Sequence, residues 1–210
     1  MSSIAEIRKD YSLKSLNESD ASPNAIRQFD IWWQEALASD IPEVNAMTLA
    51  TSSADGVPSA RIVLLKAYND NGFIFFTNYK SYKAQQLAEN PRACLVFFWK
   101  ELERQVRITG IIERTDGKTS DEYFDSRPEM SRVSAIVSPQ SEVIENREWL
   151  EYEVAKVIKS KSIKRPEHWG GYVVRPITIE FWQGRANRLH DRIQYTLEEN
   201  GGWKMERLAP

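Results

Sequence analysis

From Ser22 onward the chain switches between two hydrophobic periods. Ile26, Phe29, Ile31, Trp32, Trp33, Ala36 and Leu37 recur at helical spacing and form a broad apolar face. Ser22-Pro23 offers a cap followed by proline at the first helical position, so the helix is predicted to start there. Residues 1–22, polar and Ser-rich, read as an arm with a short helical piece. After Pro42 the period falls to two. Strands are predicted at Ala46–Thr51, Ser59–Tyr68 and Phe73–Thr77, joined by turns at Ser53-Ala-Asp-Gly-Val57 and Asn69-Asp-Asn-Gly72. Successive hairpins of this kind build an antiparallel meander, not βαβ units.

Ser81 is placed to cap a short helix through Glu89, stopped by Asn90-Pro91. Ala93–Trp99 and Arg104–Arg114 read as a strand pair. Lys118–Ser126 and Glu129–Val137 read as two short helices divided at Pro128. Arg147–Ser160 is a longer helix with Trp149, Leu150, Val154, Val157 and Ile158 apolar. Gly171–Trp182, Arg188–Glu198 and Trp203–Leu208 close the chain as strands, the last two joined through Asn200-Gly-Gly202. No repeat interrupts this order. The expected architecture is an arm over 1–22 and one domain over 23–210, mainly β or α+β, an antiparallel barrel with peripheral helices.

Composition narrows the function classes. The 210 residues carry 28 Lys and Arg against 30 Asp and Glu, a net charge of −2. A general nucleic-acid binder would show a basic excess, so any cation cluster here is local. Cys94 lies in the apolar run Ala93–Trp99, reads as a small buried residue, and fits a reducing cytoplasm. With one cysteine and only His168 and His190, a metal site has no ligand set, and none is expected. No apolar run reaches the length of a membrane span, and the N-terminal residues lack the apolar core of a signal peptide.

Several cation positions invite a chemical reading. In a strand, Arg188, His190 and Arg192 would share one face, with Trp182 just upstream as a flat apolar surface. Such a set fits an aromatic, phosphorylated ligand, and equally a solvated edge strand. Arg61 and Lys66 end an apolar strand and, five apart, would point to opposite faces. They either snorkel, meet different anions, or are re-aimed by a bulge. Lys83 falls in the first turn of the Ser81 helix, where anions bind. Tyr123, Arg127 and Ser131 are spaced by four; with Pro128 opening a new helix, they form a phosphate cradle or Arg127 simply pairs with Asp125 or Glu129. Gln105 and Arg107 alternate with the inward Val106 and Ile108. Gln105 and Gln140-Ser141 are either ligand contacts or ordinary surface.

These segments together resemble the pyridoxine/pyridoxamine 5′-phosphate oxidase family. The matching runs are Arg61-Ile-Val-Leu-Leu-Lys66, Leu102-Glu-Arg-Gln-Val106, Tyr123-Phe-Asp-Ser-Arg-Pro128, Trp169-Gly-Gly171, Ile179-Glu-Phe-Trp-Gln-Gly184, Arg188-Leu-His-Asp-Arg192 and Arg207-Leu-Ala-Pro210. The resemblance implies a split β-barrel that binds FMN, one per subunit and non-covalently, at the interface of a cytoplasmic homodimer. It implies oxidation of pyridoxine or pyridoxamine 5′-phosphate to pyridoxal 5′-phosphate, with O2 as acceptor and H2O2 released. Carried over by motif position, Arg61 and Lys83 would hold the FMN phosphate with Gln140 and Ser141 nearby, and Tyr82 beside them. Ile62, Val63, Leu64, Leu65, Lys66, Phe76 and Thr77 would line the flavin; Gln105, Trp182 and Arg192 would border it. Lys66, Tyr123, Arg127 and Ser131 would take the substrate phosphate. Arg188 and His190 would sit at the substrate ring as catalytic residues, with Leu189 between them. Arg8, Lys9, Asp10 and Tyr11 resemble the family segment that folds over the site. Tyr82 stands where the family usually carries Arg, and Phe76 where Tyr is common.

Overall fold

The computed structural model describes residues 3–6 and 10–210. Among the described residues, five α-helices and nine strands follow one another, one expected strand being split in two: α1 (Ala25–Leu37), β1 (Ala46–Ser52), β2 (Pro58–Leu64), β3 (Ala67–Asn69), β4 (Gly72–Asn78), α2 (Tyr82–Glu89), β5 (Arg92–Trp99), β6 (Arg104–Arg114), α3 (Gly117–Ser126), α4 (Glu129–Val137), α5 (Arg147–Ser160), β7 (Trp169–Gln183), β8 (Asp191–Leu197) and β9 (Trp203–Arg207). The strands run in the order β2-β1-β5-β6-β7-β4-β3, with β8 added to β7 and β9 to β8. Pairs β3·β4, β4·β7, β7·β8 and β8·β9 are antiparallel. Two compact units are distinguished. One comprises the described part of Met1–Leu49 with Cys94–Gly110 and Pro176–Pro210; the other comprises Ala50–Ala93 and Ile111–Arg175.

In the first unit, α1 buries Ala25, Ile26, Phe29, Trp32 and Ala36. Phe29 meets Phe97 with ring centroids 5.4 Å apart, and Trp32 meets Phe181 edge-on at 5.2 Å. Full burial of such rings stabilises by about 1.5–3 kcal/mol each. Arg104, almost fully buried, stacks 4.2 Å from the Trp32 ring and bonds Gln183 and Glu35. The start of α1 differs from the expectation. Asn24, not Ser22, is the cap: its carboxamide oxygen accepts from the Ile26 and Arg27 amides at 2.9 and 3.0 Å. Pro23 therefore precedes the helix. The physical reason is the two amides that Asn24 satisfies at once.

The second unit holds the first hairpins. The expected strand Ser59–Tyr68 is in fact two, β2 and β3, interrupted at Leu65 and Lys66. Leu65 turns into the core and the Lys66 amide donates to the Ile74 carbonyl at 2.8 Å. The turn at Gly72 needs glycine: its φ is +134°, and a Cβ there would lie 2.1 Å from the Val174 carbonyl oxygen. A further correction falls in the first unit. The expected strand Arg188–Glu198 begins only at Asp191, because Asn187 and Arg188 adopt left-handed backbone at φ +56° and +60°. Arg188 and His190 thus precede β8, and the shared strand face predicted for Arg188, His190 and Arg192 does not exist.

Candidate functional site

Arg61, Ile62, Val63, Leu64 and Lys66 line a cavity of about 510 Å³ in the second unit, together with Phe76, Thr77, Lys83, Tyr123, Arg127, Pro128, Ser131, Gln140 and Trp169. Among these lining residues four are cations and none is acidic. The interruption after β2 is what lets Arg61 and Lys66 serve one space: beyond Leu65 the strand alternation restarts. The re-aiming that a bulge would provide is achieved by a strand break.

Arg61 is aimed from below. Its Nη1 donates to the Thr51 hydroxyl at 2.6 Å and its Nη2 to the Ser59 hydroxyl at 2.7 Å. Both hydroxyls donate in turn to the carboxamide oxygen of the buried Gln86, at 2.5 and 2.6 Å. Their protons are committed to Gln86, so their lone pairs face the guanidinium. Lys83, buried on the first turn of α2, donates to Gln140 Oε1 at 2.8 Å and lies 3.3 Å from the Thr77 and Ser81 hydroxyls. Ser81 makes no side-chain cap; its hydroxyl donates to the Asn78 carbonyl instead. Burial, helped by the charge of Arg61, pulls the Lys83 ammonium down to about 8. Lys83 at an uncapped helix start, with the Arg61 charge beside it, fits a phosphate monoester.

A second cationic group stands at the junction of α3 and α4. Arg127 closes α3, and Pro128 opens α4, so Ser131 falls in the new helix's first turn. The Arg127 guanidinium lies 4.7 Å from the Trp169 ring centre, and its buried Nη1 has no hydrogen-bond partner. Arg127 thus lines the acid-free cavity without a carboxylate partner of its own, which fits an anion supplied from outside the chain. Phe76, Tyr123 and Trp169 form a stack, Phe76 lying 4.0 Å from Tyr123 and 5.6 Å from Trp169. Gly171 makes this possible, since a Cβ there would reach 2.8 Å from the Phe76 ring. The Lys66 ammonium is 5.8 Å from the Tyr123 ring. Thus Lys66, Tyr123, Arg127 and Ser131 do converge, and the pairing of Arg127 with Asp125 or Glu129 is not observed.

Among the remaining expected residues of the first unit, Trp182, His190 and Tyr11 form their own cluster. Trp182 on β7 lies 4.7 Å from the His190 ring, and Tyr11 meets both edge-on at 5.6 and 5.8 Å. His190 Nδ1 accepts the Arg185 amide at 3.1 Å, so the neutral ring carries its proton on Nε2 and presents a donor there. Burial and the charge of Arg188 lower its pKa below the usual 6.5, which keeps it neutral at physiological pH. Arg188 and Leu189 are exposed. Arg192 is committed to Glu180, with Nε and Nη2 bonded to the two carboxylate oxygens at 3.0 and 3.1 Å. Arg107 also pairs with Glu180, and Gln105 is half-buried on β6.

Some expected residues do not line the cavity. The Leu65 side chain is in the core, Tyr82 and Ser141 are exposed outside the lining, and Asp10 is exposed. Arg8 and Lys9 lie outside the described residues. Sequence reasoning gave no role to Trp169, Thr51, Ser59 or Gln86. Trp169 had a signal in Trp169-Gly-Gly171, because paired glycines after an aromatic mark close approach. The Gln86 anchor had none.

Residues 33–161, more than half of the chain, match the family model described as pyridoxamine 5′-phosphate oxidase. Residues 169–210 match the pyridoxine 5′-phosphate oxidase C-terminal dimerisation region. The chain is 54% identical over 210 residues to a pyridoxine/pyridoxamine 5′-phosphate oxidase of Trichormus variabilis, covering 99% of this chain and 98% of that one. A protein of the same name from Polynucleobacter asymbioticus is 54% identical over 213 residues, covering both chains in full. Among solved structures, PhzG from Burkholderia lata, in complex with tetrahydrophenazine-1-carboxylic acid, matches with a TM-score of 0.89 at 28% identity, over 95% of this chain and 100% of that one. A pyridoxamine 5′-phosphate oxidase-related, FMN binding protein from Nostoc punctiforme matches in fold, with a TM-score of 0.71 at 16% identity over 90% and 100% of the two chains. The chain therefore belongs to the pyridoxamine 5′-phosphate oxidase family, flavoprotein oxidoreductases with a split-barrel fold and a C-terminal dimerisation region.

Proposed function

We propose that the protein is an FMN-dependent oxidase that converts pyridoxine or pyridoxamine 5′-phosphate to pyridoxal 5′-phosphate in the cytoplasm. O2 is the acceptor, H2O2 is released, and the amine substrate also yields ammonia. The observation that carries this reading is the acid-free cavity with two separate cationic groups, Arg61 with Lys83 and Lys66 with Arg127. Two phosphate esters, one on the cofactor and one on the substrate, account for both. Relatives at 54% identity bear the corresponding name.

Arg61, Lys83 and Gln140 would hold the FMN phosphate, and Ile62, Val63, Leu64, Phe76 and Thr77 the rest of the cofactor. FMN, when bound, supplies the redox chemistry, accepting a hydride equivalent from the substrate C4′ and passing electrons to O2. Lys66, Tyr123, Arg127 and Ser131 grip the substrate phosphate, which fixes the reacting carbon and removes much of the entropic barrier. His190 donates through Nε2 to the 3-hydroxyl oxygen on the substrate's pyridine ring. Its engaged Nδ1 makes it a donor and not a base. Arg188 supplies positive charge at the substrate ring. We place one FMN per subunit at the interface of a homodimer, because the dimerisation region includes Trp182, Arg188 and His190. Residues 23–210 act as one functional domain behind the arm 1–22.

The deciding measurement is the visible spectrum of the flavin-loaded protein during anaerobic addition of pyridoxine 5′-phosphate. Bleaching of the flavin band, reversed by air, is expected. A band that stays unmoved with this ester, yet bleaches with an unphosphorylated carboxylate substrate of the kind bound to PhzG, would overturn the assignment.

A further inference from the structure

Glu103 occupies an unusual place. It sits in the turn between β5 and β6 with left-handed backbone, φ +54° and ψ +41°, a conformation that costs a non-glycine residue about 1 kcal/mol or more. It is 2% exposed. Its carbonyl accepts from the Gly184 amide at 2.7 Å and from Gln183 Nε2 at 3.2 Å. Its carboxylate reaches a segment some ninety residues earlier: Oε2 accepts from the Ser12 amide at 2.8 Å and the Leu13 amide at 3.1 Å. Hydrogen bonds to an ionised acceptor are about twice as strong as neutral ones, and more so away from water.

The residue just before those two amides is Tyr11, whose ring lies edge-on to both Trp182 and His190. Its floor is Gly184: a Cβ there would lie 2.7 Å from the Tyr11 ring. One residue, Glu103, therefore holds the strand end carrying that floor through its carbonyl and the arm carrying the ring through its carboxylate. We propose that Glu103 is a positioning residue, which by binding the Ser12 and Leu13 amides seats Tyr11 against His190 and Trp182 and so holds the imidazole in its donating orientation. The benefit to catalysis rests on the function proposed above; the hold on the arm does not.

The test uses flavin-loaded Glu103→Gln, which keeps side-chain size and backbone strain but removes the charge. Hydrogen exchange at the Ser12 and Leu13 amides is expected to quicken about tenfold while the Val106 and Ile108 amides of β6 stay unchanged. The KM for pyridoxine 5′-phosphate is expected to rise about five- to tenfold with kcat within about twofold, the signature of lost uniform binding. Gly184→Ala, which unseats Tyr11 by collision, is expected to reproduce the KM change. Unaltered exchange at Ser12 and Leu13, or equal quickening throughout β6, would overturn the hold on the arm. An unchanged KM in both variants would overturn the positioning role. A wild-type protein inactive on this ester would refute the proposed reaction, while the exchange contrast would still decide whether Glu103 clamps the arm.

Discussion

Arg127 leans its guanidinium on Trp169 and keeps one buried nitrogen unpaired. Under the function proposed above, that lost hydration would be made good by an incoming anion. Arg127→Ala is accordingly expected to raise the KM for the phosphorylated substrate by about 10- to 150-fold, the worth of a charge-assisted hydrogen bond of about 1.5–3 kcal/mol, with flavin content preserved. Steady-state kinetics beside the absorbance ratio of the purified protein checks both halves. Arg188, exposed and outside the cavity lining, should behave oppositely to a cofactor ligand. In Arg188→Ala, turnover should fall by at least about tenfold, the effect of about 1.4 kcal/mol on a barrier, while FMN retention is unchanged. Lys83 gives a pH signature. Its folded pKa of about 8 lies below the ordinary 10.5. Between those values the unfolded chain binds the extra proton, so the stability of the cofactor-free protein rises as pH climbs through that window. Over the same window the ammonium that would meet the phosphate is lost, so FMN affinity should fall. Titration of apoprotein with FMN at pH 7 and pH 9.5 should show weaker binding at the higher pH and proton uptake on loading.

At the scale of elements, the helix and strand periods were legible because burial follows them. Strand β6 and helices α4 and α5 fall on their expected ends. What was not legible came from local backbone chemistry. Ser22-Pro23 has the form of a helix start, yet Asn24 outcompetes it by accepting two amides. Asn24→Ala should therefore destabilise the protein by about 1 kcal/mol, read as a lowered Tm, whereas Ser22→Ala should matter less. Apolar continuity from Arg61 to Lys66 concealed the break at Leu65, and that break decides which face Lys66 serves. Likewise, the left-handed residues Asn187 and Arg188 cannot be read from alternation, and they cancel the strand face on which the first reading of Arg188 and His190 rested. The candidate site was legible through its charged members, since cations in an apolar run stand out. Its neutral supports, Thr51, Ser59 and Gln86, look like any polar residues until the hydrogen bonds are seen.

For the molecule as a whole, the Arg61 charge beside Lys83 in an acid-free cavity means that the cofactor-free chain carries repulsion that a bound phosphate would relieve. FMN at one hundred times its dissociation constant should stabilise the fold by about 2.7 kcal/mol, measurable as a higher Tm, and inorganic phosphate should give a smaller rise. Identical melting with and without FMN would contradict the assignment of Arg61 and Lys83. Gln86 shows how this repulsion is kept. A carboxylate at that position would receive the same two hydroxyls, but it would also cancel much of Arg61's charge. The amide steers without neutralising. Exchanging it, as Gln86→Glu, should yield a sturdier but emptier protein, pale on purification and slow to turn yellow when given its coenzyme.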